Sequence, residues 1–160
     1  MLEIIELKDT HKHFVNSLVT ASWGSNILVT KGKVYKAHTL PGFIAMVDNI
    51  PQGLAIYAIE NNECQIVSLD SLKEGIGIGS GLIKSVRKIA KDSKCNRLWL
   101  ITTNDNTKAL RFYQKRGFSL KALYANALEK SRKIKPEIPY LGIEGIPLRD
   151  EIELEMILSE

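Results

Sequence analysis

Hydrophobic and polar residues alternate along several short stretches of this 160-residue chain. Alternation with a period of two is typical of a β-strand with one buried face. The clearest case is EIELEMIL at 151–158, where Ile152, Leu154, Met156 and Leu158 share one face and the glutamates mostly lie on the other. The same criterion, with turn residues as boundaries, predicts six further strand regions: 2–7, 26–37, FIAMVD at 43–48, LAIYAIE at 54–60, 64–72 and Phe118 to about Leu123. The region 26–37 consists of two strands joined by a Lys-Gly turn. Further turns are predicted at 50–53 and at Asn61-Asn62.

Other stretches have the spacing of helices or of buried strands. Apolar residues recur every three to four positions from Leu82 to Ala90, which predicts an amphipathic helix that ends near Asp92. Further helices are predicted around 11–22, over TKALRFYQKR with Gly117 as the stop, and over 126–134. RLWLITT at 97–103 is nearly all apolar and indicates a strand covered on both faces. This order predicts a mixed α/β sheet with helices on both faces, in a single domain over 1–160.

Composition and charge narrow the class of protein. Hydrophobic residues make up 44% and charged residues 25% of the chain, as in globular proteins. The net charge of +4 is too small to indicate a nucleic-acid partner. Cys64 and Cys95 form no Cys-x-x-Cys pair and have no zinc spacing, so we expect reduced thiols and no metal. Without a signal peptide or an apolar run of about 20 residues, we expect a cytoplasmic protein that does not bind membranes.

The stretch EGIGIGSGLIK at 74–84 places four glycines between a predicted strand and a predicted helix. Glycines let consecutive amides turn toward one anion, and a helix N-terminus favours phosphate. The lysine of a Walker loop is missing, and G-x-G-x-x-G fails because its third glycine is replaced by Ser80 or Leu82. The alternative is a flexible loop before a helix.

A second motif follows about thirty residues later. The stretch NTKALRFYQKRGF at 106–118 resembles the N-x-x-A-x-x-F-Y-x-x-x-G-F signature of the GNAT superfamily of N-acetyltransferases, and Gly77-Ile78-Gly79 is similar to the G-x-G of its pyrophosphate loop. The resemblance covers roughly 65–120. It implies a mostly antiparallel central sheet flanked by helices, with two central strands splayed at the cofactor site. It also implies transfer of the acetyl group of acetyl-CoA to a primary amine by direct attack in a ternary complex, with CoA as product.

The resemblance also implies which residues hold the cofactor. The backbone of Leu69 and Ser71 would pair with the pantetheine arm, and the Leu69 N–H would help to stabilise an oxyanion. The pyrophosphate would lie on Gly75, Gly77, Ile78, Gly79 and Ser80. Asn106, with Asn104 as a second candidate, would contact the cofactor, although a helix cap explains Asn106 equally well. Glu74 departs from the family's Gln or Arg, and we expect it to point outward, with Lys73 or Lys108 as a compensating cation.

Two residues are candidates for proton transfer. Tyr113 matches the family tyrosine that protonates the departing thiolate, and its alternative is packing on a helix face. Asp70 lies on the strand beside the presumed reaction centre and is the candidate general base, with a surface carboxylate as the alternative; Glu60 and Glu63 lie on or near the preceding hairpin. Neighbouring residues on a strand face opposite ways, so Asp70 and Leu69 cannot both enter the cleft.

The acceptor pocket is the least determined part of the site. Its candidates are Trp23, Tyr124, Tyr140, Glu144 and Arg149, of which the three aromatic residues could equally be core residues. The long loop at 135–148 is a further candidate, with cover for a sheet edge or a dimer contact as alternatives. The three histidines are expected to be surface or packing residues.

Three functional interpretations follow. The first is an N-acetyltransferase that acts on a small-molecule or peptide amine. The second is a catalytically silent acetyl-CoA-binding sensor or regulatory module. The third is a purely structural α/β domain. The resemblance to the GNAT superfamily, in which dimers are common, also makes a homodimer an expected possibility.

Overall fold

The computed structural model describes residues 1–158 and consists of a large sheet, a separate two-stranded ribbon and helices on both sheet faces. The strands are β1 (Leu2–Glu6), β2 (Ile27–Thr30), β3 (Lys33–Lys36), β4 (Gly42–Val47), β5 (Ile50–Glu60), β6 (Glu63–Ser71), β7 (Arg97–Thr103), β8 (Ser119–Tyr124) and β9 (Glu151–Ile157). The helices are α1 (Lys12–Trp23), α2 (Ile78–Asp92), α3 (Thr107–Lys115) and α4 (Ala127–Ile134). Among these residues, no helix is both long and apolar enough to cross a membrane.

The large sheet has seven strands in the order β1-β4-β5-β6-β7-β9-β8. Within the described residues, β6 and β7 form its one parallel pair, because α2 crosses over between them, and every other pair is antiparallel. The ribbon of β2 and β3 stands apart from the sheet and turns at Lys31-Gly32, as predicted. The mixed, mostly antiparallel sheet predicted from the sequence is therefore confirmed.

The two sheet faces carry different helices. On one face, the apolar side of α2 packs with α3 residues against β5, β6 and β7 in a continuous buried cluster. On the other face, Val15, Leu18 and Val19 of α1 pack against Ile44 and Ile56, and residues of the β2–β3 ribbon complete this second cluster. Burial of this apolar surface on both sides is what fixes the register of the central strands.

The strands β6 and β7 separate halfway along their length. Their pairing ends at Ile66 and Leu100, while β6 continues along β5 to Ser71 and β7 continues along β9 to Thr103. At the point where the pairing with β7 ends, β6 contains a bulge. Ile66 and Ser68 are paired with two consecutive residues of β5, so Val67 has no partner residue on β5. A bulge bends a strand and increases its twist. The expected splay of two central strands is thus present, and we call this opening the β6–β7 split.

The turn predicted at 50–53 is wrong. The chain turns at Asp48 and Asn49, which both have positive φ, and β5 begins at Ile50. Asp and Asn tolerate this left-handed conformation better than most residues, so they form the two-residue turn. Gly53 lies inside β5 for a different reason: a Cβ there would lie 2.5 Å from Ile78 Cγ2 at the start of α2.

Candidate active site

Backbone amides of β6 face the β6–β7 split. The N–H of Leu72 donates to the Gln52 carbonyl on the β5 side at 2.8 Å. Successive amides of a strand point in opposite directions, so the N–H groups of Leu69 and Ser71 point away from β5 and into the split. An extended ligand arm can pair with this edge like an added strand, as predicted for Leu69 and Ser71.

The glycine loop ends in a helix N-terminus without a side-chain cap. Gly75 and Gly77 have φ values of 79° and 86°, and Gly77 is the N-cap of α2. The first helical hydrogen bond runs from the Gly81 N–H to the Gly77 carbonyl, so the amides of Ile78, Gly79 and Ser80 precede it and have no acceptor within the helix. This end of the loop fits a phosphate group by charge and by donor geometry.

Gly79 is small for a reason that the sequence did not suggest. A Cβ at this position would lie 2.6 Å from Phe112 Cζ on α3. The residue therefore allows α2 and α3 to approach each other, and its side of the helix faces the interior. By contrast, nothing lies within 4 Å of a Cβ built on Gly75, so that part of the loop is open to a ligand.

An arginine lies beside the end of the glycine loop. The Arg116 Nε donates to Ser80 Oγ at 2.9 Å, and the Arg116 guanidinium lies 3.6 Å from the centroid of the Phe112 ring. Lys73 and Lys108 stay predicted as compensating cations. The sequence does not point to Arg116, because only the packing of α3 on α2 brings it to Ser80. Glu74 is exposed, as expected.

Tyr113 lies on α3 between two other aromatic rings. Its ring makes edge contacts with Phe112 and Phe118, at centroid distances of 5.2 and 5.5 Å. Burial raises the pKa of the Tyr113 hydroxyl above its usual value of 10, and the nearby charge of Asp70 raises it further. Tyr113 therefore packs in the core, and its hydroxyl is near enough to Asp70 to sense that charge. Its role as a proton donor stays a prediction.

Asp70 is held from the opposite face of the sheet. Ser22 Oγ donates to Asp70 Oδ1 and Ser68 Oγ donates to Oδ2, each at 2.9 Å. Trp23 Nε1 in turn donates to Ser68 Oγ at 3.3 Å. Burial raises the pKa of Asp70, and the two serine hydrogen bonds oppose that rise. Asp70 is consequently a partly enclosed carboxyl group with defined partners, while Leu69 packs on the α2 side.

The two asparagines have different roles. Asn106 is the N-cap of α3, and its Oδ1 accepts from the Ala109 N–H at 3.1 Å. The Asn104 side chain instead holds the loop before β9, with its Nδ2 donating to Pro147 O at 2.8 Å and its Oδ1 accepting from the amides of Arg149 and Asp150. These contacts show that Asn104 supports the loop, while its predicted contact with the cofactor stays a prediction.

The predicted acceptor residues do not form one cluster. Trp23 borders Asp70 and is 45% exposed. Tyr140 is 76% exposed and stacks under Arg132 at 4.4 Å, and Arg149 pairs with Asp150 at 3.2 Å. Glu144 has a φ of 56° in the exposed part of the loop.

A set of carboxylates on β9 was not predicted. The alternation in EIELEMIL correctly placed the glutamates opposite Leu154, but Glu151 and Glu153 are each only 2% exposed. Tyr124, a predicted acceptor residue, donates to Glu153 Oε1 at 2.7 Å. Arg97 and Lys31 also bind Glu153, at 2.6 and 3.1 Å. A buried acidic residue is expected only with such partners, and these come from elements distant in sequence.

The other two acidic candidates lie away from the β6–β7 split. Glu60 forms an ion pair with Lys33 of the ribbon, and Glu63 pairs with Arg97 at 3.2 Å. Both stand at the end of β6 where β6 and β7 are still paired.

Comparisons with known proteins agree with this geometry. The sequence model of the acetyltransferase (GNAT) family matches residues 20–118. The chain is 38% identical to the Bacillus subtilis (strain 168) protein named uncharacterized protein YdhI, over 99% of this chain and 100% of YdhI.

Solved structures show the same fold at low sequence identity. The IAA acetyltransferase from Bacillus cereus ATCC 14579 matches with a TM-score of 0.73 and 18% identity, over 99% of this chain and 100% of that one. A GNAT family acetyltransferase from Elizabethkingia anophelis with acetyl-CoA bound matches with a TM-score of 0.71 and 20% identity, over 98% of both chains. Since the family match spans more than half of the sequence and includes both the glycine loop and the Tyr113 motif, this chain belongs to the GNAT family of acetyltransferases.

Proposed function

We propose that this protein is an N-acetyltransferase that moves the acetyl group of acetyl-CoA to a primary amine by direct attack in a ternary complex. The observation that carries the proposal is the β6–β7 split with two titratable groups at its sides. Tyr113 is buried in the cluster on the α3 side of the sheet, and Asp70 is held on the α1 side. Each group is partly removed from water, and the charge of one affects the pKa of the other.

Acetyl-CoA is the acetyl donor of this family, and the residues of the chain fit it. The amides of Leu69 and Ser71 would pair with its extended arm, and those of Ile78, Gly79 and Ser80 would hold its phosphates, with Arg116 as the neighbouring cation. When bound, it supplies a thioester whose C–S bond breaks as the amine nitrogen forms a new C–N bond. The chain's own contribution is to hold both partners in reacting position, which supplies several kcal/mol.

Two proton transfers complete the proposed reaction. Asp70 accepts a proton from the acceptor's ammonium group, directly or through water, and its raised pKa brings it closer to the working pH. Tyr113 donates its hydroxyl proton toward the departing sulfur. Its raised pKa keeps the phenol protonated across the physiological range, although it makes the proton harder to release than the sequence alone had indicated.

The test is release of free thiol from acetyl-CoA across a panel of amines, with Tyr113→Phe as the paired variant. We expect turnover with one class of amine and a fall in kcat of about 10²-fold or more in Tyr113→Phe, because a positioned acid contributes that much. CoA affinity should stay within about twofold, which separates lost chemistry from lost binding. An unchanged kcat would remove Tyr113 from the mechanism.

A second candidate, a silent acetyl-CoA-binding module, is supported by one observation. Glu74 occupies the first position of the glycine loop, where its charge opposes that of a phosphate. CoA binding without turnover of any amine would favour this alternative.

A further inference from the structure

The sheet face beside Asp70 contains a site for an ammonium group. Trp99, Tyr124, Glu151 and Glu153 form it, and we call these four residues the ammonium cage. The Nζ of Lys31 lies 5.3 Å from the Trp99 ring centroid, 4.9 Å from the Tyr124 ring centroid and 3.1 Å from Glu153 Oε1. Two aromatic faces and a carboxylate are the chemistry that recognises an alkylammonium ion.

Glu151 is the least satisfied member of the cage. It is 2% exposed, and both of its oxygens share a single donor, the backbone N–H of Lys31, at 3.2 and 3.4 Å. A carboxylate can accept about four hydrogen bonds, and a buried one is costly unless it is paired with a cation. Within residues 1–158, no side-chain cation lies within ion-pair distance of Glu151. The cage therefore has room, in hydrogen bonding and in charge, for a further cation.

The charges around the cage do not balance. Arg97 pairs with Glu63, Glu153 and Glu155, and Lys31 pairs with Glu153. Together with Glu151, four carboxyl groups share two cations, which leaves a local deficit of positive charge in a chain whose net charge is +4. The deficit favours a cationic ligand over a neutral one.

The cage lies next to the β6–β7 split. Glu151 and Glu153 are register partners of Thr103 and Ile101, the β7 residues that follow the last β6–β7 pair at Leu100. Glu151 and Glu153 lie on the opposite face of the sheet from Leu154. That opposite face is the one against which α1 packs and on which Asp70 is held. From β6 to β9 there are two strand spacings, or about 10 Å where the strands are paired, and the distance is greater across the split. A single acceptor of that length can reach both places.

Lys31 occupies the cage from the tip of the β2–β3 ribbon. Its backbone is anchored by Glu151, while its side chain is 37% exposed and can swing toward solvent. The ribbon itself is fixed through Gln65, which accepts from Tyr35 Oη and donates to Thr30 Oγ1. Displacement of the lysine side chain therefore requires no movement of the ribbon.

We propose that the ammonium cage binds the second ammonium group of a linear aliphatic diamine or polyamine, whose first amine enters the β6–β7 split. This inference rests on the proposed function and specifies its acceptor. Lys31 takes the place of the second ammonium group when the acceptor is absent.

The experiment compares acceptors that differ only at the far end. A series of α,ω-diaminoalkanes with four to ten carbons is assayed by thiol release beside amino alcohols and alkylamines of equal length. We expect kcat/KM to favour the longer diamines over the matched amino alcohols by about tenfold or more, since only the far ammonium group can form a charge-assisted contact with the buried carboxyl groups.

Two variants assign the preference to the cage. Glu151→Gln keeps the volume and the acceptor for the Lys31 amide but removes the charge, and it should reduce the diamine preference about tenfold. Lys31→Met keeps the aliphatic stem but removes the competing ammonium, and it should lower the KM for diamines several-fold. A merely structural Lys31 would not give tighter binding when mutated. CoA affinity serves as the control for folding in both variants.

The outcomes separate the two proposals. Turnover of diamines and amino alcohols at equal rates, unaffected by Glu151→Gln, would overturn the cage while the N-acetyltransferase stands. Calorimetric binding of 1,8-diaminooctane that Glu151→Gln weakens, without turnover of any amine, would support the cage and contradict the enzyme. Turnover of a lysine-containing peptide in preference to every diamine would overturn the assigned acceptor class.

Discussion

At the scale of single residues, the site is defined by polar groups that the fold removes from water. Asp70, Glu151 and Tyr113 all have raised pKa values, and burial is the largest cause in each case. Glu153 is different, because the hydrogen bonds from Arg97, Tyr124 and Lys31 outweigh the effect of burial and lower its pKa. Paired and unpaired carboxylates thus lie two residues apart on one strand, and only the unpaired one has capacity for a ligand.

The pKa of Asp70 gives a prediction for the pH dependence of stability. Since the folded-state pKa lies above the ordinary value of 3.8, the carboxyl group stabilises the fold most below that value, and the contribution is lost as the pH rises through the folded-state pKa. Asp70→Asn, which cannot ionise, should therefore gain stability relative to the wild type between pH 4 and pH 8. Urea unfolding at both pH values measures this. A difference that is constant with pH would show that the pKa of Asp70 is not raised in the folded state.

At the scale of elements, the start of α2 uses its glycines for two purposes. Gly75 and Gly77 adopt left-handed conformations that shape the loop. Gly79 has no positive φ and is needed for the close approach of Phe112. A substitution at Gly79, which the sequence had marked as a phosphate contact, would test helix packing before it tested cofactor binding.

Gly79→Ala should destabilise the protein by about 1–3 kcal/mol, because its Cβ overpacks the contact between α2 and α3. Urea unfolding gives the free energy. Addition of Phe112→Leu should recover much of the loss, since the shorter side chain vacates the position of Cζ. If the double variant is less stable than Gly79→Ala alone by the full cost of Phe112→Leu, the contact does not explain the glycine.

Gly75 offers a cleaner test of the phosphate site. Asn and Asp both tolerate a positive φ, and the space around Gly75 is open, so Gly75→Asn and Gly75→Asp form a matched pair that differs in charge. Gly75→Asp should bind CoA about tenfold more weakly than Gly75→Asn, and the gap should narrow at high salt. Calorimetric titration at two ionic strengths provides the measurement. Equal affinities would place the phosphates elsewhere.

At the scale of the whole molecule, the loop between α4 and β9 is fixed to the sheet by contacts distant in sequence. Asn104 holds Pro147, Arg149 and Asp150, and Asp105 Oδ2 accepts from the Ile143 N–H at 2.9 Å. At the other end of the loop, the buried Lys135 Nζ donates to the carbonyls of Trp23 and Ile27 at 2.8 Å. The loop therefore connects the end of β7, beside the split, to α1.

Asn104→Ala should loosen this loop without unfolding the protein. It removes three hydrogen bonds, each worth about 1 kcal/mol, so the amides of Arg149 and Asp150 should exchange at least about tenfold faster. Hydrogen–deuterium exchange measures the change. Asn106→Ala is the control, because it removes only the cap of α3 and should leave the loop protected. If the loop amides of Asn104→Ala exchange as slowly as those of the wild type, the other contacts of the loop are sufficient to hold it in place.

Local patterns predicted most of the elements, because hydrophobic spacing and turn chemistry act over a few residues. β7 was predicted at its observed bounds, and α2 was predicted to end at Asp92, as it does. The turn at 50–53 failed because Gly53 serves a contact with α2 that no local pattern contains. The GNAT motifs pointed to the correct family, and the charge of Asp70 affects the pKa of Tyr113 although the two residues lie 43 positions apart.

The sequence by itself therefore determined the α/β class, the family and the position of the glycine loop, since each depends on residues close together in the chain. The tertiary structure alone decided which charged side chains are buried and what they contact. The pairing of Lys31 with Glu153 spans more than a hundred residues, and so do the contacts of Lys135 with α1. The burial of a residue depends on which other parts of the chain pack over it. Alternation along a strand shows on which face of the sheet a residue lies, but it does not show what packs against that face.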